Sequence, residues 1–315
     1  ANFISAMINA ANGRGRILYE NYNRGQRSEA DAESYLRQLS LHASIYRAII
    51  PDIMTANLSV ILGNFSENPS ISLSNFPHVD YKYYLEMQVR VLATDPAFRD
   101  LGGVGWWGTH AANEEIVRWS FALMKHYAIE GNTGSLSEKY GLVYAPGHVT
   151  NPDFEEGLSG WQANNLVSTG SFPDFGKDSQ KRYGSIYSPG DQFAILKRTQ
   201  DQHAELKQTI VKLIPGKMYS LTFFCADHKD LQNRIVAPRR HRLEYDLSNV
   251  NILKRVCAVD TRTARDEKDN AARINAFRIL FRAEKDTAEL TFRNKTAWPG
   301  EELALNYISV MPWFE

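Results

Sequence analysis

The hydrophobic period of the chain changes near residue 150, and no single layered domain satisfies both halves of the pattern. Before that point, short apolar runs at Arg16 to Asn21, Leu58 to Phe65 and Gly103 to Trp107 are each followed by ten or more residues of helical spacing. Beyond it, Phe277, Ile279 and Phe281 alternate with Arg278, Leu280 and Arg282, the period of two that a strand with one buried and one wetter face requires. Runs dense in Ile, Leu and Val with helices between them imply parallel strands buried on both faces. Alternation implies an antiparallel sandwich. At 315 residues the chain has room for both domains.

The helical stretches carry their own boundaries. Ser28 stands as an N-cap before Glu29, Asp31 and Glu33, and Leu36, Leu39, Ala43, Tyr46 and Ile50 then fall on one face up to Pro51. A second helix is expected near Asp80 to Leu92, ahead of Asp95-Pro96, and a third from about Asn113 to Tyr127. The first residues, Phe3-Ile4, Met7-Ile8 and Ala11, have amphipathic spacing that Gly13 ends, so the chain begins inside a helix and reads as processed or incomplete. Three strand–helix units follow in succession. They fit an open doubly wound sheet or a barrel, and a barrel is preferred because polar and aromatic residues, in place of a Gly-rich phosphate loop, follow the strands.

Past the change of period, Asn151-Pro152-Asp153 starts a turn and leads through Phe154, Glu155, Glu156 and Gly157-Leu-Ser-Gly160 to Trp161. Ala204 to Met218 contains a strand and the turn Pro215-Gly216, with a second strand at Tyr219 to Phe224. Phe277 to Phe281 and Ala288 to Phe292 flank a polar turn, and Leu303 to Met311 closes the pattern. The motifs FEEGLSGW, QTI with the following L-x-PGK-x-Y, and NYISV stand in the order of a jelly-roll carbohydrate-binding module, which this half resembles. The resemblance covers about half the chain. It implies that Trp161 fills the core and that a structural calcium bridges the first and last strands, held by Asp153, Glu155 and Asn306. The family often has Asp where Asn306 stands, and the segments Asp227 to Asn249 and Asp260 to Arg273 are longer and more basic than usual.

A looser resemblance joins the two halves. Glycoside hydrolases often end a (β/α) barrel in an aromatic-bearing strand and a helix and then add a sandwich module. The expected fold is therefore α/β plus all-β: a partial (β/α) barrel comprising its last three strand–helix units at residues 1–131, a linker at 132–149, and a jelly-roll β-sandwich at 150–315. Three units do not close an eight-stranded barrel, so the missing N-terminal strands would come from an upstream segment or another chain.

In a parallel barrel, reactive groups collect where strands end. Glu20 ends the first run, Glu67 follows the second and His110 the third. Two carboxylates flanking a sugar can act as acid and base or nucleophile, about 5 Å apart for retention and about 6.5 to 9.5 Å for inversion. By resemblance to retaining barrel glycosidases the nucleophile sits on the seventh strand, which favours Glu67. The other readings are an ion pair of Glu20 with Arg24 and a solvated Glu67. Trp106 and Trp107 point to opposite faces of a strand, so one is a candidate to stack on a pyranose ring while core packing competes for the other. Asn23 and Asn64, with Asn21, can bond hydroxyls or simply make turns; His110 can donate to a sugar or start a helix. Trp298, in Ala-Trp-Pro-Gly, lies on a loop, where it either contacts ligand or tucks under its own turn.

Composition excludes several classes. Lys+Arg and Asp+Glu are 36 each, neither half is a polyelectrolyte, and neutral partners fit better than a phosphate backbone. No run is long and apolar enough to span a bilayer. The eight His lack metal-site spacing, so catalysis requires no cofactor. Cys225 and Cys257 read as separate thiols. Arg239-Arg240-His241-Arg242 is basic but lacks interleaved aromatics, and reads as a solvated loop or an interface more readily than as a site for nucleic acid or an acidic glycan. The leading expectation is a secreted or periplasmic glycoside hydrolase acting on a polysaccharide or oligosaccharide, with an accessory sugar-binding module. The alternatives are a non-catalytic glycan-binding or surface-assembly protein, and a sandwich that only braces the barrel.

Overall fold

A computed structural model describes residues 2–23, 25–49, 55–63, 76–107, 113–172, 192–233, 235, 239–262 and 273–315. It divides into two compact units, one of residues 1–67 and 80–145 and one of residues 68–79 and 146–315.

In the first unit, helix α1 (Asn2–Ala10) ends where Gly13, at φ 75°, donates its N–H to Ile8 O. Strand β1 (Ile17–Asn21), helix α2 (Glu29–Ile49), strand β2 (Leu58–Gly63), helix α3 (Tyr81–Thr94), strand β3 (Gly103–Trp107) and helix α4 (Glu114–Leu123) follow. The last helix runs on as a π-helical turn, Met124–Ile129. Helices α2, α3 and α4 each start on the expected polar residue. The Ser28 hydroxyl accepts from Asp31 N–H at 3.1 Å, the Asp80 carboxylate from Lys82 N–H at 2.9 Å, and Asn113 from Ile116 N–H at 2.8 Å. The strands pair in parallel in the order β1-β2-β3. On β1, Leu18 and Glu20 are exposed while their neighbours are half-buried, and Leu58, Val60 and Leu62 of β2 are buried. Helix α2 packs on α3, and α3 on α4. This is the strand–helix layer that the apolar runs imply.

Charge is buried in this unit. Lys82 lies between Asp80 at 3.1 Å and Glu115 at 3.2 Å, with all three side chains almost fully buried. Burial works against the Lys82 charge and the two carboxylates override it, so its amine is held above the usual lysine value. Glu86, also buried, accepts from the Tyr127 hydroxyl at 2.6 Å and from the N–H groups of Leu136 and Ser137, so it caps the short helix α5 (Leu136–Lys139).

The second unit is an antiparallel sandwich. Its strands are β4 (Gln162–Ala163), β5 (Val167–Ser171), β6 (Gln192–Lys197), β7 (Glu205–Ile210), β8 (Met218–Asp227), β9 (Glu244–Leu247), β10 (Val250–Arg262), β11 (Arg273–Ala283), β12 (Ala288–Arg293) and β13 (Glu302–Pro312), with a short helix α6 (His228–Asn233) after β8. Among the described residues one sheet has the order β10-β11-β8-β13-β6-β5 and the other β4-β7-β12-β9. The core between them is apolar: Phe223 of the larger sheet stacks on Phe277 at 4.8 Å and meets Phe292 of the smaller sheet edge-on at 4.9 Å. Trp161 joins this core 5.4 Å from Phe154, with its indole N–H donated to Asn151 O, as the resemblance implied. The motif strands of the sequence reading recur as β7, β8, β11, β12 and β13. Residues 151–161, whose motif resembles a first strand, run as successive turns, and strands β4, β5, β6, β9 and β10 were not foreseen.

Both cysteines are free thiols, Cys225 buried and Cys257 half-buried, where two buried thiols were expected. Among the described residues, no helix is long and apolar enough to cross a membrane.

Candidate functional site

The sandwich presents one large aromatic on a rigid turn. Trp298, Pro299, Gly300 and Glu301 form a turn closed by Glu301 N–H to Trp298 O at 2.9 Å, with Pro at the second position and Gly300 at φ 90° in the third, where a residue with a side chain would be strained. The Glu301 carboxylate accepts Trp298 N–H at 2.7 Å, Gly300 N–H reaches Arg198 O, and the Lys229 amine reaches Gly300 O. At the base of the loop, fully buried Asn294 accepts from Ala204 N–H and donates to Leu196 O. The backbone is thus fixed from several sides, while the Trp298 side chain is 61% exposed and not tucked under its turn. The Arg242 guanidinium lies over the indole, 4.2 Å from its centroid, and donates to Thr296 O.

The irregular segment before Arg242 is also constrained. Buried Asn275 accepts His241 N–H at 2.7 Å and donates to Arg239 O at 2.9 Å, so it fixes the path of residues 239–241. Arg239 pairs with Asp227 at 3.0 Å and Asp230 at 2.8 Å. Burial and the neighbouring Asp227 hold the Asp230 carboxyl above its ordinary value, against the pull of Arg239. This basic segment was read from sequence as lacking aromatics. Its stacking partner comes from the β12–β13 loop, more than fifty residues further along, and no local pattern could show it.

The second group of candidates lies where the parallel strands end. Glu20 is exposed on β1, in register with Ile61 and Gly105. Tyr22, just past β1, brings its ring to 5.0 Å from that of Trp107. Trp106 pairs in register with buried Leu62, so the two tryptophans take opposite faces as alternation requires. The Asn21 amide nitrogen is buried without a hydrogen-bond partner, an arrangement that costs about 1–3 kcal/mol unless water or ligand fills it. Asn23 is buried and donates to Gln88 at 3.2 Å, so its amide is spent inside the unit. Glu67, Asn64 and His110 lie outside the described residues.

The residues named for calcium fit a cation poorly. Ile308 N–H donates to Pro152 O, so the start of the sandwich does meet β13. Asp153 and Asn306 are buried there, but the Asn306 carbonyl accepts Tyr307 N–H and Glu155 is exposed. Calcium takes about six to eight oxygens. Among the described residues, no three His, Cys, Asp or Glu side chains converge on a common point.

No protein-family model matches the chain, and no curated protein matches it. The solved structures similar to it include carbohydrate-binding modules. One is TmCBM61 in complex with β-1,4-galactotriose, at 13% identity over 52% of this chain and 97% of that one, with a TM-score of 0.29. Another is the CBM22-1 xylan-binding domain of Paenibacillus barcinonensis Xyn10C, at 12% identity over 52% of this chain and 92% of that one, with a TM-score of 0.28. The enzymatically active domain of bacteriophage CBA120 tailspike protein 4 is similar at 10% identity over 81% of this chain and 34% of that one, with a TM-score of 0.33.

Proposed function

We propose that the sandwich binds a polysaccharide and that Trp298 is the platform on which a sugar ring stacks. The supporting observation is the exposure of that indole on a turn whose backbone N–H groups are all committed. An aromatic face suits the C–H face of a pyranose, and a fixed turn limits the entropy lost on binding. A polysaccharide ligand would set the protein outside the cytoplasm, secreted or periplasmic. Calorimetric titration of the full chain with a panel of oligosaccharides tests this: Trp298→Ala is expected to weaken the tightest ligand about tenfold or more with an unchanged melting temperature. Equal affinity in that variant would sink the platform role.

A second reading adds hydrolysis at the ends of the parallel strands. It is favoured by exposed Glu20 two residues before Tyr22, whose ring meets Trp107, and by an unsatisfied Asn21 donor. In this reading Glu20 and Glu67 serve as the two carboxylates, one protonating the leaving oxygen and the other attacking or activating water. Glu20→Gln and Glu67→Gln are then expected to abolish release of reducing ends while binding at the sandwich persists. Undiminished turnover in both would remove the hydrolytic assignment and leave a glycan-binding protein.

A further inference from the structure

The sandwich neutralises some of its arginines and leaves others without an ion pair, and two of these lie over aromatic side chains. Arg239 is spent on Asp227 and Asp230, and Arg293 on Glu205 at 2.6 Å and Asp246 at 2.8 Å. Among the described residues Arg240, Arg242 and Arg255 are exposed and form no ion pair. The acidic groups closest in sequence are already engaged, since Glu244 accepts Thr296 N–H at 2.8 Å and Asp246 holds Arg293. Arg242 stacks on Trp298, and the Arg255 guanidinium lies 5.9 Å from the Tyr245 ring. Burial pushes the Tyr245 phenol up, and Arg255 and then Arg240 act against it.

Tyr245 belongs to β9, an edge strand of the smaller sheet, and Arg255 to β10, an edge strand of the larger. The sandwich core reaches the surface here, because Tyr245 also packs on Phe223 at 5.2 Å and Phe277 at 5.7 Å. A guanidinium lying over an aromatic face keeps its N–H donors at its rim, available in the fork geometry that carboxylate and sulfate oxygens match. Asn275 fixes the backbone that carries Arg240, so this part of the array is set before a ligand arrives. The balanced charge of the whole chain hides this local field.

Resting on the glycan reading above, we infer that the polysaccharide recognised near Trp298 is anionic, with ring-borne carboxylate or sulfate groups read by Arg240, Arg242 and Arg255. The rings stack on the aromatic platform and the acidic groups accept from the guanidinium forks. Neutral sugars use only the first of these contacts.

The test is calorimetry on the full chain with oligogalacturonate, a sulfated oligosaccharide, a neutral galactan oligosaccharide of equal length and a single-stranded oligonucleotide of equal charge, at low and at moderate salt. At low salt, at least one acidic sugar is expected to bind about tenfold or more tighter than the neutral one, and added salt narrows the gap. Arg240→Gln with Arg242→Gln and Arg255→Gln removes the gap, and the Arg→Lys triple restores only part of it, because charge returns without the fork. Whichever of the carboxylated and sulfated ligands binds tighter identifies the acidic group. Equal binding of acidic and neutral sugars, with no effect of the triple variant, overturns the anionic assignment and leaves the glycan reading intact. Oligonucleotide binding as tight as that of the acidic sugar also overturns it, by making the array a general polyanion surface. No binding of any sugar defeats the glycan reading itself, and sugar binding indifferent to Trp298→Ala removes the platform role and with it the site proposed around Trp298.

Discussion

In the strand–helix unit a full charge is buried, with Lys82 enclosed by Asp80 and Glu115, whereas the sandwich makes its interior polar connections largely with neutral amides. Gln208 accepts from Thr150 N–H and donates to Thr150 O and Gly160 O, while Asn275 and Asn294 tie down the segments that carry Arg240 and Trp298. An amide is cheap to bury once its hydrogen bonds are made, but a charge keeps a large desolvation cost that only its partners offset. The first unit therefore depends on an ion network staying complete. The second depends on apolar area, which leaves its unpaired cations free for the surface.

That contrast is most sharply tested by Lys82→Met, which strands two buried carboxylates and is expected to cost about 3–5 kcal/mol. Hydrogen exchange read by mass spectrometry should show the loss of protection in residues 80–145 and not in 192–315. A loss below about 1 kcal/mol would mean that the triad is not a stabilising unit.

A smaller effect is expected from Asn294→Ala, about 1–3 kcal/mol by urea unfolding, because it leaves Ala204 N–H and Leu196 O without their partner. Glycan affinity should fall with it, since the base of the Trp298 loop loosens. Retained affinity at reduced stability would separate the scaffold from the platform.

Alkaline pH sharpens the comparison further. Burial raises the phenols of Tyr84 and Tyr144, and burial together with Glu86 raises that of Tyr127, while Lys82 is held above its usual value. Groups raised in the folded state give their full stability below their unfolded values, near about pH 10 for tyrosine and lysine, and lose it as pH rises through the folded ones. Burial also raises the thiols of Cys225 and Cys257 in the sandwich, so the melting temperature should stay level between about pH 7 and 8, begin to fall near about pH 8.5 and fall further above about pH 10. The sandwich also holds raised tyrosines, Tyr219 and Tyr307, so the sharpening comes from the buried amine. A fall that begins below about pH 8 would point to other groups.

The least change is expected from chelation. With Asn306 occupied by Tyr307 N–H and Glu155 exposed, EDTA should move the melting temperature by less than about 1 °C. A drop of several degrees would restore the structural calcium and show that backbone oxygens complete the site.

Much of the architecture was legible because it is written in local periodicity and caps. Ser28, Asp80 and Asn113 mark helix starts by the hydrogen bonds their own side chains make, and the alternation of β11 and β12 names the faces that pack. Strand β10 was not legible. Its Leu253, Lys254, Arg255 and Val256 are all exposed on an edge, so no one-sided apolar pattern marks it. Of the site, Trp298 was legible as a loop aromatic, but its exposure was not.

The order of the chain alone determined the two periods and the helix boundaries, because each of these depends on neighbours within a few residues. Only the tertiary structure decided that Arg242 lies on Trp298, that Asn275 fixes the segment before it, and that Asn23 is spent on Gln88. Those contacts join residues tens of positions apart, and the free energy that selects them comes from burial and pairing across strands, which no local stretch of sequence contains.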